Sequence, residues 1–348
     1  MCRSNAADVR VTVVGAGVAG LCCAIELAER GADVEVLERG AHVGELACSR
    51  LAGGMLAPWC ERESAPPVVA ALGDESIRWW AEHFAATRCN GSLVVAHGRD
   101  APELAAFARR TERYEWVDGR GVAELEPDLG ERFRTALFFP EEAHLDPRAA
   151  LAALAESLAA RGVPIRFGRA AEPAEIRARH VVDCRGLAAR SALPDLRGVK
   201  GEMLLLRTRE ITLRRPVRVL HPRVPVYVVP RDDGLYMVGA TMIESDAAGR
   251  ITARSMLELL NAACALHPAF GEAEIVEIGT GVRPAYPDNV PRIRRGGDAG
   301  RTLLHVNGFY RHGFLLAPAL ARRTADFLLE GRIHPEVWDE DHRERRSA

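Results

Sequence analysis

Residues 11–38 read "VTVVGAGVAGLCCAIELAERGADVEVLE". The first four are β-branched and apolar, the composition of a buried strand. Apolar residues at helical spacing run over 18–30, and "DVEVLE" alternates like a second strand. Between the first strand and the helix, Gly15, Gly17 and Gly20 have GxGxxG spacing. The first glycine permits a tight turn, the second lets backbone approach a pyrophosphate, and the third allows close packing of helix on strand. Phosphate oxygens then face free N–H groups at the positive end of a helix. Glu38 follows Gly20 by 18 residues, at the end of the second strand, where its carboxylate can accept both ribose hydroxyls. The stretch therefore predicts dinucleotide binding, with Ala16, Val18, Ala19 and Arg39 completing the contact surface. It does not separate one dinucleotide from another.

The rest of the composition narrows the field by exclusion. The chain has 348 residues, 48% hydrophobic and 27% charged, enough for one large domain or two moderate ones. A net charge of −2 gives no electrostatic footprint for nucleic acid. Lys200 is the only lysine, so arginine carries nearly all the positive charge; we read this first as composition bias. Eight cysteines show no CxxC pair, which predicts reduced thiols in a cytoplasmic protein. Eleven histidines form no HxxxH or HExxH pattern, and no metal site is expected. Arg3 and Arg10 ahead of the first apolar run imitate a signal peptide, but the three glycines break that run. No stretch is long and apolar enough to predict a membrane span.

Beyond residue 38, a glycine- and alanine-rich stretch covers 40–60. Helices are predicted over 74–87, 101–112, 146–162, 252–266 and 313–330, and strands over 92–98, 163–168, 180–186 and 273–283. In the helix at 146–162, Asp146 caps, Pro147 suits the first turn and Gly162 ends it. Residues 197–245 are predominantly β and include a hairpin turning at Asp232-Asp233-Gly234. The α/β texture clusters at the two ends and around 146–196, with antiparallel texture between, so two domains interleaved in sequence are expected.

Five ordered blocks carry a further signal: the GxGxxG at 15–20, "SRLAGGMLAP" at 49–58, "VYVVPRDDGLYMVGATM" at 226–242, "GVRPAYPDNVPRI" at 281–293 and "NGFYRHGFLLAPA" at 307–319. Together they resemble the FAD-dependent amino-acid oxidases of the D-amino-acid oxidase type, and within them the glycine oxidases of the thiamine pathway. The resemblance implies an α/β plus α+β fold. Its Rossmann-like FAD-binding domain would comprise 1–76, 142–196 and 284–348, and its antiparallel substrate domain 77–141 and 197–283.

The resemblance also implies residue roles. Small residues at Ala52, Gly53 and Gly54, with Ser49, Met55 and Gly186, would let backbone run beside the flavin and its phosphates. Arg283 would fork onto the substrate carboxylate, the geometry a planar guanidinium favours, and Tyr227 would donate a hydroxyl to the same group. Arg311 would lie near the amino acid and the flavin edge and gate access, with Tyr310 beside it. Gly313 and Phe314 would open a helix whose positive end faces the N1–C2=O edge of the ring. Met242 would line the substrate pocket, although core packing explains a methionine equally well. The family commonly has asparagine where this chain has His312, which leaves that position open. Cys264 lies outside the matching blocks, so noncovalent FAD is expected.

The reaction implied is oxidation of glycine, or another small amino acid, to its imine by hydride transfer to the flavin, with O2 reduced to hydrogen peroxide. No acid or base is required of the protein. The imine would feed thiazole assembly or hydrolyse to glyoxylate and ammonia, and relatives suggest a homotetramer. The motifs leave open a sarcosine or D-amino-acid oxidase, an electron acceptor other than O2, and a non-catalytic dinucleotide sensor.

Overall fold

The computed structural model describes residues 9–220, 226–296 and 300–340. Cys2, Arg3 and the outer ends of the expected FAD-binding domain lie outside the described residues. Strand β1 (Arg10–Val14), helix α1 (Val18–Glu29) and strand β2 (Asp33–Leu37) form the expected unit, with the strands parallel. The chain continues through β3 (Met55–Leu56), α2 (Pro58–Glu61) and α3 (Pro67–His83). It then makes an excursion, β4 (Ser92–Ala96), α4 (Ala101–Ala108), β5 (Glu115–Asp118), α5 (Gly119–Leu125) and β6 (Thr135–Phe139), into a second sheet. It returns by β7 (Ala143–His144), which pairs with β3, and by α6 (Pro147–Ala160), β8 (Ile165–Arg166) and β9 (His180–Asp183). A second excursion supplies β10 (Arg197–Arg207), β11 (Val217–Leu220), β12 (Val226–Pro230), β13 (Leu235–Gly239), β14 (Ile243–Glu244), α7 (Ala253–Leu266) and β15 (Glu274–Ala285). The chain closes through β16 (Arg292–Gly296), β17 (Thr302–Asn307), α8 (Gly313–Glu330) and β18 (Trp338–Glu340).

The result is a seven-stranded sheet, ordered β18-β16-β17-β9-β1-β2-β8, and a nine-stranded sheet ordered β14-β10-β13-β12-β11-β4-β6-β5, with β15 also paired to β10. The first is parallel except where β16 meets β17. The second is antiparallel except where β11 meets β4. Of the expected domain divisions, that between 76 and 77 falls inside α3 and that between 283 and 284 inside β15.

Local chemistry explains most element ends. Asp146 accepts from the N–H groups of Arg148 and Ala149, and Gly162 has a φ of 75° just past α6. The β12–β13 hairpin turns through Asp233 and Gly234, both at positive φ. Two helices differ from expectation. α4 stops at Ala108, and α3 begins at Pro67 rather than 74. Gly73 looks like a break, yet the helix runs through it because Leu315 of α8 packs there; a Cβ on Gly73 would stand 2.8 Å from Leu315 Cδ1.

α1, α3 and α8 pack as one layer, and α3 carries adjacent tryptophans that bond to both partners. Trp79 Nε1 donates to Glu26 Oε1 of α1 at 2.6 Å, and Arg30 joins Glu26 to Asp326 of α8. Trp80 Nε1 donates to the carbonyl of Phe314 at 2.7 Å. That carbonyl needs an outside donor because the residue four positions on is Pro318, which has no N–H. The indole thus repairs a gap that proline leaves near the start of α8.

The sheets are joined near α2. Glu142, fully buried just before β7, accepts from the Cys60 N–H at 2.7 Å and meets the Ser92 hydroxyl of β4. Burial pushes its carboxyl up to about 8 against these hydrogen bonds.

Trp80→Phe leaves the buried Phe314 carbonyl unpaired and should cost about 1–3 kcal/mol, read as a lower Tm; an unchanged Tm would mean that another donor replaces the indole. Because the Glu142 pKa is raised on folding, its contribution is whole below the ordinary value of 4.5 and is lost as pH rises through about 8. Glu142→Gln keeps the hydrogen bonds without the charge, so it should exceed the parent Tm at about pH 9 and match it at about pH 5.

Candidate functional site

A cavity of about 750 Å³ separates the start of α1 from the second sheet, in the upper part of the range for small-molecule sites. One end is built by the glycine turn. Gly15 has a φ of 101°, and a Cβ on Gly20 would stand 1.8 Å from the Gly15 carbonyl, so the turn tolerates no side chain at either position. Gly15, Gly17, Val18 and Ala19 line the cavity. Ala16 and Gly20 do not: the Ala16 N–H donates to Glu38 Oε2, and Gly20 packs behind the turn. Glu38 Oε1 also accepts from the Gly40 N–H, which fixes the carboxylate at the cavity wall beside Arg39. Ser49 Oγ accepts from the Val18 N–H at 3.2 Å, placing the hydroxyl at the helix N-terminus where an anion is favoured. Gly186 lines the same space beyond β9.

The cavity is also lined by Tyr310, Arg311 and the first residues of α8, Gly313 and Phe314, with Gly313 beside Val18 of α1. His312 precedes the helix and gives no side-chain cap, so the first N–H groups of α8 have no cap from its own side chain. α1 and α8 therefore both begin at this cavity.

A smaller chamber of about 70 Å³ adjoins it, and the two share Ala52, Gly53, Tyr227, Arg283 and Arg311 as walls. Gly54, Met55, Met242 and His312 line the chamber alone. Arg231, its side chain 6% exposed, holds the chamber floor in shape by donating to the carbonyls of Gly53 and Leu145 at 2.7 and 2.8 Å. Close approach explains Gly53, since a Cβ there would stand 2.8 Å from the Tyr227 ring.

Arg283 reaches the chamber across the sheet. A Cβ on Gly201, in the neighbouring strand β10, would stand 2.3 Å from Arg283 Nη2, so the guanidinium occupies the room that glycine leaves. Arg283 Nη1 donates to the Thr241 carbonyl at 3.1 Å, and among the described residues no carboxylate pairs with it. Thr241 is itself fixed: its hydroxyl donates to buried Glu202, which pairs with Lys200 at 2.8 Å, and Lys200 also donates to the Arg250 carbonyl. Tyr227 stands beside this guanidinium, and burial raises its phenol above the usual range, keeping it a hydrogen-bond donor.

Arg311 is engaged differently. Its Nη2 lies 2.6 Å from Glu61 Oε2 and 2.8 Å from Ser64 Oγ, and Nη1 lies 3.4 Å from the Met242 sulfur. The Tyr310 hydroxyl reaches the same sulfur at 3.2 Å. Met242 is 46% exposed, so it closes the chamber at the surface rather than packing in a core. His312 is buried, with Nε2 2.9 Å from Glu61 Oε2.

Four residues of this site escape the sequence reading: Glu61, Arg218, Gly201 and Arg231. Arg218 lies directly opposite Tyr227 in the β11–β12 pair and lines the chamber. Only Glu61 left a trace, as the first acid after the second block.

The residues present fit FAD. Two helix N-termini open side by side on the cavity, Glu38 stands at its wall, and small residues at Ala52 and Gly53 leave room for a flat ring. Among the described residues no group of three or more His, Cys, Asp or Glu side chains could hold a metal, and no helix is long and apolar enough to cross a membrane. Cys264 lies in α7, away from both spaces.

Comparisons with known proteins agree with this geometry. A family model for FAD dependent oxidoreductases matches residues 10–327. The "Putative thiamine biosynthesis oxidoreductase ThiO" of Rhizobium etli is 56% identical over 329 residues, 94% of this chain and 99% of that protein. A glycine oxidase of Pseudomonas aeruginosa is 30% identical, with 93% and 95% of the two chains aligned. The crystal structure of glycine oxidase from Geobacillus kaustophilus superposes with a TM-score of 0.78 at 26% identity, over 94% of this chain and 96% of that one. Matched along nearly its whole length in sequence and fold, the chain belongs to the FAD-dependent oxidoreductases of the D-amino-acid oxidase type.

Proposed function

We propose that this enzyme oxidises glycine to its imine, with O2 as the electron acceptor, in the supply of the thiazole branch of thiamine biosynthesis. The observation that carries the reading is Arg283. Its guanidinium lies over Gly201 beside Tyr227, with no acidic partner among the described residues, at the junction of the two spaces. An unpaired guanidinium and a neutral phenol together make a carboxylate clamp. The chamber admits about half a dozen water-sized atoms, which suits an amino acid with little or no side chain.

FAD, held noncovalently, would supply the two-electron acceptor chemistry, with O2 reduced to hydrogen peroxide. The protein's part is placement. Arg283 and Tyr227 fix the carboxylate, the Gly53–Gly54 backbone held by Arg231 gives a flat wall, and the start of α8 offers a positive field where negative charge accumulates. Gly15, Gly17, Glu38 and Ser49 hold the dinucleotide end. Tyr310, Arg311 and Met242 form the outer gate.

The same reading includes the two-domain division, a cytoplasmic location and a homo-oligomeric working state. The seven described cysteines are all free, which supports a reducing compartment.

Peroxide release by the purified yellow protein with glycine, sarcosine, D-alanine and D-proline tests the substrate. Glycine should give the highest kcat/KM; a clear preference for sarcosine or D-proline would move the assignment to a sibling activity, and turnover with an artificial acceptor but little peroxide would indicate a dehydrogenase. Arg283→Ala should raise the glycine KM by about a hundred-fold, the worth of a charged hydrogen-bonded pair, while the protein stays yellow. Unchanged glycine kinetics in that variant would remove the clamp.

A further inference from the structure

An amino acid has two polar ends, and the clamp accounts for one. The amine end bears N–H donors and needs an acceptor. Three of the four charged side chains lining the chamber, Arg218, Arg283 and Arg311, can only donate. The fourth is Glu61, the last residue of α2, and it is the one carboxylate among the described residues there. We propose that Glu61 is the amine-side hydrogen-bond acceptor of the substrate chamber, a role that rests on the amino-acid oxidase reading and specifies it.

The geometry of the carboxylate supports this. Its close contacts, from Arg311 Nη2 at 2.6 Å and His312 Nε2 at 2.9 Å, both end on Oε2, and Oε1 carries no hydrogen bond from a described residue. One oxygen is used to fix the group and the other is left open. The side chain is only 17% exposed, so water competes weakly for the open oxygen. Burial alone would raise its pKa, but Arg311, His312 and Arg218 outweigh burial and hold the carboxyl well below the usual range. An ionised carboxylate has no proton to donate and can only accept. His312 Nε2 lies against the same oxygen and against Arg311 Nε at 3.3 Å, which gives the histidine at the start of α8 a positioning rather than a chemical task.

In a space for about half a dozen water-sized atoms, a carboxylate anchored at Arg283 leaves its amine in the same small volume as Glu61. With the carboxylate anchored, an N–H donated to Oε1 fixes the rotation about the bond between the carboxylate carbon and Cα, and with it which Cα–H faces the flavin wall. Carboxylate and amine would thus be held by oppositely charged groups, which discriminates an amino acid from a simple acid of the same length.

The test uses the flavin-loaded enzyme and two ligands: glycine, and acetate, which has the carboxylate without the amine. Glu61→Gln should lower kcat/KM for glycine by about ten- to a hundred-fold, the value of one charge-assisted hydrogen bond. Acetate affinity, read from the flavin absorbance change, should not fall. Unchanged glycine kinetics would overturn the inference, and so would a parallel loss of glycine and acetate, which would mark Glu61 as a support for Arg311 alone. Should the Gln variant not fold, Glu61→Asp decides: glycine weakened more than acetate supports the role, and equal weakening overturns it. A parent enzyme that oxidises no amine would instead remove the oxidase reading and this inference together.

Discussion

The structure depends on two helices that begin at the same cavity. α1 and α8 come from opposite ends of the chain, yet a Cβ on Gly313 would stand 3.5 Å from Val18 Cγ1. Each helix start presents N–H groups without intrahelical partners, and such ends repel unless something negative lies between them. An anionic dinucleotide satisfies both. The rest of the layer keeps the ends in place: Glu26, Arg30 and Asp326 tie α1 to α8, and the Trp79–Trp80 pair bonds one helix with each indole. Pro318 breaks the ladder of α8 one turn from its start, and Trp80 mends it, so the mouth of that helix is held by α3 as well as by its own hydrogen bonds.

The second sheet faces these helices with side chains chosen by cross-strand register. Arg218 stands opposite Tyr227, and Tyr227 opposite Gly239, so two large polar groups lie side by side and the next strand leaves space beside them. Arg283 occupies the place that Gly201 leaves, and the Lys200–Glu202–Thr241 chain fixes the carbonyl to which it bonds. Positive charge in this chamber exceeds negative when it is empty of substrate. One bound carboxylate reduces the excess, a fit that favours monocarboxylates over neutral or cationic ligands.

What could be read from the sequence was what short segments encode. The glycine turn, the Asp146 cap, the hairpin at Asp232–Gly234 and the start of α8 each follow from residues within one or two turns of each other. Arg283 and Tyr227 were found because ordered blocks resemble a known family, not because any local pattern marks them. The helix expected from 74 begins at Pro67 and contains Gly73, whose reason is Leu315, more than two hundred residues away. Glu61, Arg218 and Gly201 were missed for the same physical cause: their meaning arises from strand pairing and domain packing. Met242 could not be resolved between lining and core until its exposure and its contacts with Tyr310 and Arg311 were known.

The solitary ammonium of Lys200 has a wider consequence. It is buried, held by Glu202 and the Arg250 carbonyl, so the molecule's exterior carries guanidinium as its side-chain cation with no lysine beside it. Guanidinium does not deprotonate in any aqueous buffer that leaves a protein intact. In alkaline solution, where ordinary enzymes shed surface cations, this one keeps its full complement, and reagents that couple to lysine find none on its surface.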